Sequence, residues 1–559
     1  MTMDNKDLEA EIHPLKNEDG KSQENLGNQL KTEDNLKSAR LQSRLSRCRA
    51  VAFFLSLFIC LFVVFVVSFI IPCPDRPVSQ RMWRVDYNAA VTYDFLAVED
   101  INRDRIRDVL FLYKNTNGIN NFNRSCADEG LSSPCAFVAA VSGANGSTLW
   151  ETPVAPDVAL VKCAVSQPRG SEGSSACILV GRPDPVTAVD LSTGQTLWTR
   201  PGSPGTNASI LSPLLQVPDV DGDGAPDLLV LAREAEEVSG YIYSGGTGHQ
   251  IGHRGSLGTD GESGFLLHVT RTGVHYILLP CASSLCGCSV QGLYEKVTRR
   301  DGPFKRDPLG QNMLNATTCR TLMHSAGAVR YLVHVPGKAG ADVLLVGTEA
   351  CVLLDGQELT PRWTLSTARV LRKPIFGHYK PDALAMVIEN GTGVDRQILL
   401  LDLGTRAVLW SHVLPSLPGS PPSSSLPTAD HRSAFFFWGL HELDSANQTN
   451  QTNQTETSAA GHSLYMFHPT LPRVLLELAN ISANIVSSDV VLLEPSRHAA
   501  CVLLTGPARS DVPGLVSVIK HKVRDLVPSS RVVHLGEAGP DSDQAVRDRF
   551  SRLRYWSGV

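Results

Sequence analysis

The sequence predicts an all-β architecture, a propeller of seven or eight small sheets forming an ectodomain behind one N-terminal transmembrane helix. Three observations carry that expectation. An uncharged apolar run, Ala50 to Ile71, comes first. A hairpin element ending in tryptophan then recurs along the chain. Among these hairpins lies a loop with carboxylates at positions one, three, five and nine, directly before a strand-like run.

The chain has 559 residues, more than a single domain usually needs. Its net charge of -5 argues against a nucleic-acid partner. Residues 1–49 contain no aromatic side chain and are rich in Asn, Gln, Lys and Glu, the composition of a disordered tail. The run 50–71 would span about 33 Å as a helix, enough for a bilayer core. A cleaved signal peptide would have a shorter apolar core lying nearer the N-terminus. Arg40, Arg44, Arg47 and Arg49 precede the run and place the tail on the cytoplasmic side. Glycosylation sequons begin at Asn123, Asn145, Asn207, Asn315, Asn390, Asn447, Asn450, Asn453 and Asn480, all after the run. The expectation is a single-pass, type II, signal-anchored glycoprotein, at the plasma membrane and cell surface or within the secretory pathway.

Eleven of the thirteen cysteines follow the apolar run, and in an oxidising compartment several should pair. Cys126 with Cys135 and Cys163 with Cys177 are the local candidates. Cys281, Cys286 and Cys288 form a tight cluster for which disulfides outweigh a zinc site. An odd count leaves one thiol over, and Cys73, beside the membrane, is the candidate bridge for a disulfide-linked homodimer.

Residues 72–90 read as a stem. The hairpins then follow: AVSGANGSTLW to Trp150, AVDLSTGQTLW to Trp198 and LLDLGTRAVLW to Trp410, with looser copies at Tyr241 to Gly252 and Leu353 to Trp363. Gly, Asn and Asp supply the turn backbone. The recurring Trp position predicts packing between neighbouring sheets. The spacing is 48 residues from Trp150 to Trp198 and 47 from Trp363 to Trp410, which fits four short strands per unit. Candidate blades are 91–155, 156–202, 207–255, 262–305, 325–366, 367–415, 430–480 and 485–530. No sustained helical periodicity appears across 91–530. In the extension 531–559, Val546, Phe550 and Leu553 fall on one helical face.

The acidic loop reads PDVDGDGAPDLLV. Asp219, Asp221, Asp223 and Asp227 occupy positions one, three, five and nine, and Gly224 holds position six, where a sharp turn needs a left-handed backbone. This pattern predicts a structural calcium ion; the rival is an acidic turn that holds none. Val230 stands at position twelve, where a helix-loop-helix site has Glu, so the loop belongs to a β context. Asp100, Asn102, Asp104 and Asp108 repeat the spacing, but Arg105 takes the glycine position and Arg103 and Arg107 flank it. A left-handed Arg costs about 1 kcal/mol, so weaker calcium binding, or none, is expected there.

Both loops resemble the FG-GAP repeats of integrin α-chain propellers. From the Arg cluster through Trp198 and the Asp219 loop, the whole chain resembles the FAM234 proteins, also called integrin-α FG-GAP repeat-containing proteins. That resemblance implies a single-pass membrane protein with a propeller and no established activity. The turns at Thr193 to Trp198 are similar to those of quinoprotein alcohol-dehydrogenase-like blades, a family that suggests eight blades. Its adjacent-cysteine pair has no match here. No GxSxG, HExxH or P-loop motif occurs, and no enzyme is expected. The function expected is an adhesion or receptor-like interaction module with a protein partner at the membrane. The alternatives are a scaffold or accessory subunit of another membrane protein and, third, a quinoprotein-like or sugar-processing enzyme.

Overall fold

The computed structural model describes residues 32–70 and 79–556, apart from 117–124, 167–174, 183–184, 202–207, 236, 262–263, 307–318, 338–339, 368, 382, 392–394, 417–418, 441–460, 494–497 and 537–540. The chain forms two units, Met1–Arg76 and Pro77–Val559.

Among its described residues the first unit is one helix, Thr32–Ile70, within which Arg49–Ser68 is long and apolar enough to cross a membrane. Residues 32–49, expected to be disordered, are therefore helical. Leu, Lys, Arg and Gln are good helix formers, and adding turns to an existing helix avoids the cost of nucleation.

The second unit is built from eight four-stranded antiparallel blades, which settles the choice between seven and eight. Blade 2 is typical: Val158–Ser166, Ser175–Gly181, Val186–Asp190 and Thr196–Arg200, paired in sequence order. Blades 3 to 6 repeat this over 209–256, 266–324, 329–366 and 375–415. Blade 7 spans 424–481 and gains a fifth strand, Arg531–His534, alongside Val474–Ile481. The first strands of most neighbouring blades touch one another and so line the axis.

Blades 1 and 8 share one strand, Met82–Glu99. Its first half pairs with Gly514–Lys522, with Met82 opposite His521 and Tyr87 opposite Val516. Its second half pairs with Asp108–Asn115 and opens blade 1. Residues 82–90, expected as part of a stem, are thus the outer strand of the last blade. Trp83 and Tyr87 are buried there. The pairing partner lies more than 400 residues away, so no local pattern reveals it.

Tryptophans join successive blades, as their common position in the hairpins predicted. Trp83 lies against Gly146 in the blade 1 turn, Trp150 against Gly194 in blade 2, and Trp198 against Gly248 in blade 3. A Cβ on these glycines would lie 2.8, 2.5 and 2.3 Å from the ring, and all three have positive φ. Only glycine meets both demands. Trp83 Nε1 donates to Gly143 O at 3.1 Å, Trp150 Nε1 to Leu191 O at 2.9 Å and Trp410 Nε1 to Pro472 O at 3.0 Å. Each such bond runs from an outer strand to the following blade. The turns are closed from inside by aspartates. Asp190 Oδ1 accepts from the N–H groups of Ser192 and Thr193, and Asp402 Oδ1 from those of Gly404 and Thr405.

One helix within the propeller was not foreseen. Val290–Thr298 follows the third strand of blade 4, capped by Ser289 Oγ, which accepts from Gly292 N at 3.3 Å. Val290, Leu293, Tyr294 and Val297 do fall on one helical face, but the run is set between strands of a blade, where a strand was the expectation. Leu293 and Val297 pack against Gly255 in the outer strand of blade 3. The expected C-terminal helix is Asp543–Ser551, with Val546 and Phe550 buried and Leu553 packed beside them.

Disulfides join Cys126 to Cys135 and Cys163 to Cys177, as expected. Cys281–Cys286 and Cys288–Cys319 resolve the cysteine cluster as disulfides rather than zinc ligands. Two buried thiols, Cys351 and Cys501, stay reduced, where only one spare was expected. Cys73 lies outside the described residues.

The tryptophan–glycine contacts lead to a double-mutant test. Trp150→Ala should cost about 3–5 kcal/mol. Gly194→Ala should also destabilise, by left-handed strain of about 1–2 kcal/mol plus collision with the indole. Denaturant unfolding should find the pair less than additive, because removing the ring removes the collision. Full additivity would count against the contact.

Candidate metal centre

The two acidic loops connect the first and second strands of blades 3 and 1. Each ends in an aspartate that opens the second strand and is fully buried, Asp227 and Asp108. Asp227 Oδ2 accepts from Val220 N at 2.7 Å, and Oδ1 from Gly245 N at 3.0 Å. Asp108 repeats this with Ile101 N at 2.9 Å and Gly143 N at 3.0 Å. The aspartate at position nine therefore ties the loop to the hairpin turn between the third and fourth strands of its own blade. The turn must come very close. A Cβ on Gly245 would lie 2.0 Å from Pro226 O, and one on Gly143 would lie 1.9 Å from Arg107 O.

The other positions match in the same way. Asp219 accepts from Gly222 N at 2.6 Å and Gly224 N at 2.8 Å, while Asp100 accepts from Arg105 N at 3.1 Å. Asp223 Oδ1 accepts from Ala225 N, as Asp104 Oδ1 does from Ile106 N. Positions four and six have positive φ in both loops, 78° and 88° at Gly222 and Gly224, 60° and 69° at Arg103 and Arg105. The backbone is thus one design used twice.

The side chains differ. In blade 3, one oxygen from each of Asp219, Asp221, Asp223 and Asp227 lies within 4.8 Å of the other three. Oxygens held about 2.4 Å from one ion are at most about 4.8 Å apart, so this donor set fits a hard cation such as calcium. Asp223 Oδ2 also accepts from Ser244 Oγ at 2.9 Å, which fixes it toward the loop. In blade 1 the amide of Asn102 closes the loop on itself. Its Nδ2 donates to Asp104 Oδ2 at 3.1 Å, and its Oδ1 accepts from Asp104 N at 3.0 Å. Asp100, Asp104 and Asp108 form no such converging group among the described residues.

Electrostatics follow from the packing. Burial pushes the Asp227 carboxyl up to about 6, with the charges of Asp221 and Asp219 adding to it against the N–H groups of Val220 and Gly245. Burial likewise raises Asp108 to about 6. At Asp219 burial works upward too, but the N–H groups of Gly224, Gly222 and Asp223 win and hold it below the usual range.

Sequence reasoning missed Ser244 and Gly245, which fasten the loop from the neighbouring turn. The signal was present: Ser-Gly opens that turn at Ser142–Gly143 and again at Ser244–Gly245, in the two blades that carry an acidic loop. Of the sequons, Asn145 and Asn480 are exposed. Asn390 is only 5% exposed, inside the strand Ala383–Gly391. A glycan expected at Asn390 does not fit the folded blade, because a sequon carries no information about burial. Asn123, Asn207, Asn315, Asn447, Asn450 and Asn453 lie outside the described residues.

The raised carboxyl sets the sign of a pH effect. The unfolded value is about 3.9, so stability linked to protonated Asp227 is complete below about pH 4 and is lost as pH rises through about 6. In cation-free buffer, the melting-temperature advantage of the wild type over Asp227→Asn should shrink between about pH 4 and neutrality. An advantage that grows over this range would contradict the burial argument.

A family model described as the FAM234A/B β-propeller matches residues 83–556, and that description names an architecture and no reaction. Human FAM234A is 78% identical over 99% of this chain and 100% of its own length. Human FAM234B is 26% identical over 93% of this chain and 85% of its own. Among solved structures, the WD40 domain of fission-yeast SCAP aligns with a TM-score of 0.43 at 8% identity, covering 79% of this chain and 98% of that one. The matched region begins at Trp83, inside the strand that closes the ring, and runs to Trp556, just past the C-terminal helix. A membrane-length helix followed by eight blades, with a relative so similar from end to end, places this chain in the FAM234A/B β-propeller family.

Proposed function

We propose that this chain is a type II membrane glycoprotein whose calcium-stabilised propeller acts outside the cytosol as an adhesion or receptor-like interaction module. The observation that carries the reading is the convergence of four aspartates on one point in blade 3. Four carboxylates so close repel one another, and a divalent cation turns that repulsion into attraction. Extracellular and lumenal calcium is plentiful enough to fill a site of modest affinity. The disulfides suit the same oxidising compartment. The role proposed for the ion is to stiffen a blade, while the loops of a rigid ring meet a protein partner. An adhesion or receptor role at the plasma membrane fits this better than catalysis, because the clustered acids are already engaged by backbone N–H groups.

Calcium should raise the melting temperature of the full-length protein. The gain should approach about 2.7 kcal/mol when calcium is a hundredfold above its dissociation constant. Asp221→Ala should abolish most of it and Asp104→Ala little. An equal loss in both variants, or no calcium effect in the wild type, would sink the assignment.

Topology and partner have separate readouts. Glycopeptide mapping should find glycans at the exposed Asn145 and Asn480 and none at Asn390. Cell-surface labelling should reach the propeller in intact cells. Partners captured by proximity labelling should be surface proteins of neighbouring or the same cells. A single stoichiometric membrane protein that co-purifies in mild detergent would instead favour an accessory subunit.

A further inference from the structure

A large cavity lies among the inner strands of the propeller, away from the acidic loops. It has a volume of about 1090 Å³ and is walled by the first strands of blades 1 to 5 and 8 together with residues 508–510. Lys162, from blade 2, and Arg182, beside the second strand of that blade, line it. Neither side chain has a hydrogen bond or ion pair among the described residues, and both residues are exposed. Other cations on the axis are engaged. Arg509 pairs with Asp157 and lies 5.6 Å over the Tyr93 ring, while Arg372 pairs with Glu389 and donates to Ser420 and Pro421.

A second cavity of about 460 Å³ has Asp94 in its lining, as the first does. It is lined by Lys373, a third cation with no partner among the described residues. The charge of Lys373 is felt at His334 in the wall of the larger cavity. Burial first, then His268 and Lys373, hold that imidazole down to about 4. Together the two cavities are lined by three cationic side chains without a partner among the described residues and by one exposed carboxylate, Asp94.

We propose that this axial cavity binds a small organic anion bearing carboxylate or phosphate groups. Recesses lined by one sign of charge and walled by low-dielectric strands focus the field and concentrate counter-ions. Arg182 offers a forked donor and Lys162 a point charge, and the strand register sets them toward opposite ends of the same pair of strands, where they would meet separate anionic groups of one ligand. The volume is that of an organic ligand site rather than of a single inorganic ion. Lys373, in the lining of the second cavity, adds to the positive field that an anion would meet.

The test uses the full chain in uncharged detergent, with divalent cations removed by resin so that the acidic loop plays no part. Succinate and phenyl phosphate are titrated at constant ionic strength while thermal unfolding and heat of binding are followed. At least one probe should raise the melting temperature saturably. Lys162→Ala with Arg182→Ala should weaken that binding about tenfold or more, and Lys373→Ala should weaken it independently. Arg107→Ala, an exposed cation outside the cavity, should leave it unchanged. All these side chains are solvent-exposed, so the variants should melt like the wild type without ligand. No saturable response to either probe, or a response that survives the double substitution, overturns the proposal.

Discussion

A ring of blades is only as sound as its closure, and here one strand does the closing. Met82–Glu99 belongs to the last blade in its first half and to the first blade in its second. Around that seam, bonds cross nearly the full length of the chain. Arg84 Nη2 donates to Ser517 Oγ at 3.0 Å, across 433 residues of sequence. The fully buried Lys520 donates to Ser79 Oγ and to Gly143 O, joining the chain before the strand to the turn of blade 1. Trp83 completes the seam by packing on Gly146. A buried ammonium is costly unless its donors are used, and these contacts use them.

The same turns that receive the tryptophans also receive the acidic loops. Gly143 accepts from Trp83 Nε1 through its carbonyl and donates through its N–H to Asp108. In blade 3, Gly245 donates to Asp227 while Gly248 of the same turn lies under Trp198. Blade joint and loop anchor are therefore neighbours within a few residues.

Much of this was legible because it is periodic. Apolar length marked the membrane helix, the turn-and-tryptophan element marked the blades, and the spaced aspartates marked the loop whose oxygens converge. What stayed hidden depends on partners distant in sequence. Residues 82–90 look like a stem until Gly514–Lys522 is placed beside them, and Arg531–His534 looks like a tail until blade 7 offers an edge. The burial of Asn390 is of the same kind, since a sequon reads three residues and burial is set by a whole blade. The helix Val290–Thr298 was missed for a different reason: it is short, and its apolar face meets another blade rather than repeating along the chain.

The seam also dictates an order of events during synthesis. The outer strand of the eighth blade is made before any blade, soon after the membrane-length helix, and its partner follows more than 400 residues later. Through that interval Trp83 and Tyr87 have no finished pocket to enter, and the ring has a free edge on each side of the gap. A nascent chain in this state offers open strands to any other chain that can pair with them. A premature stop anywhere before the eighth blade then does more than delete a blade: it strands the first segment made, and the product is an open arc rather than a smaller ring.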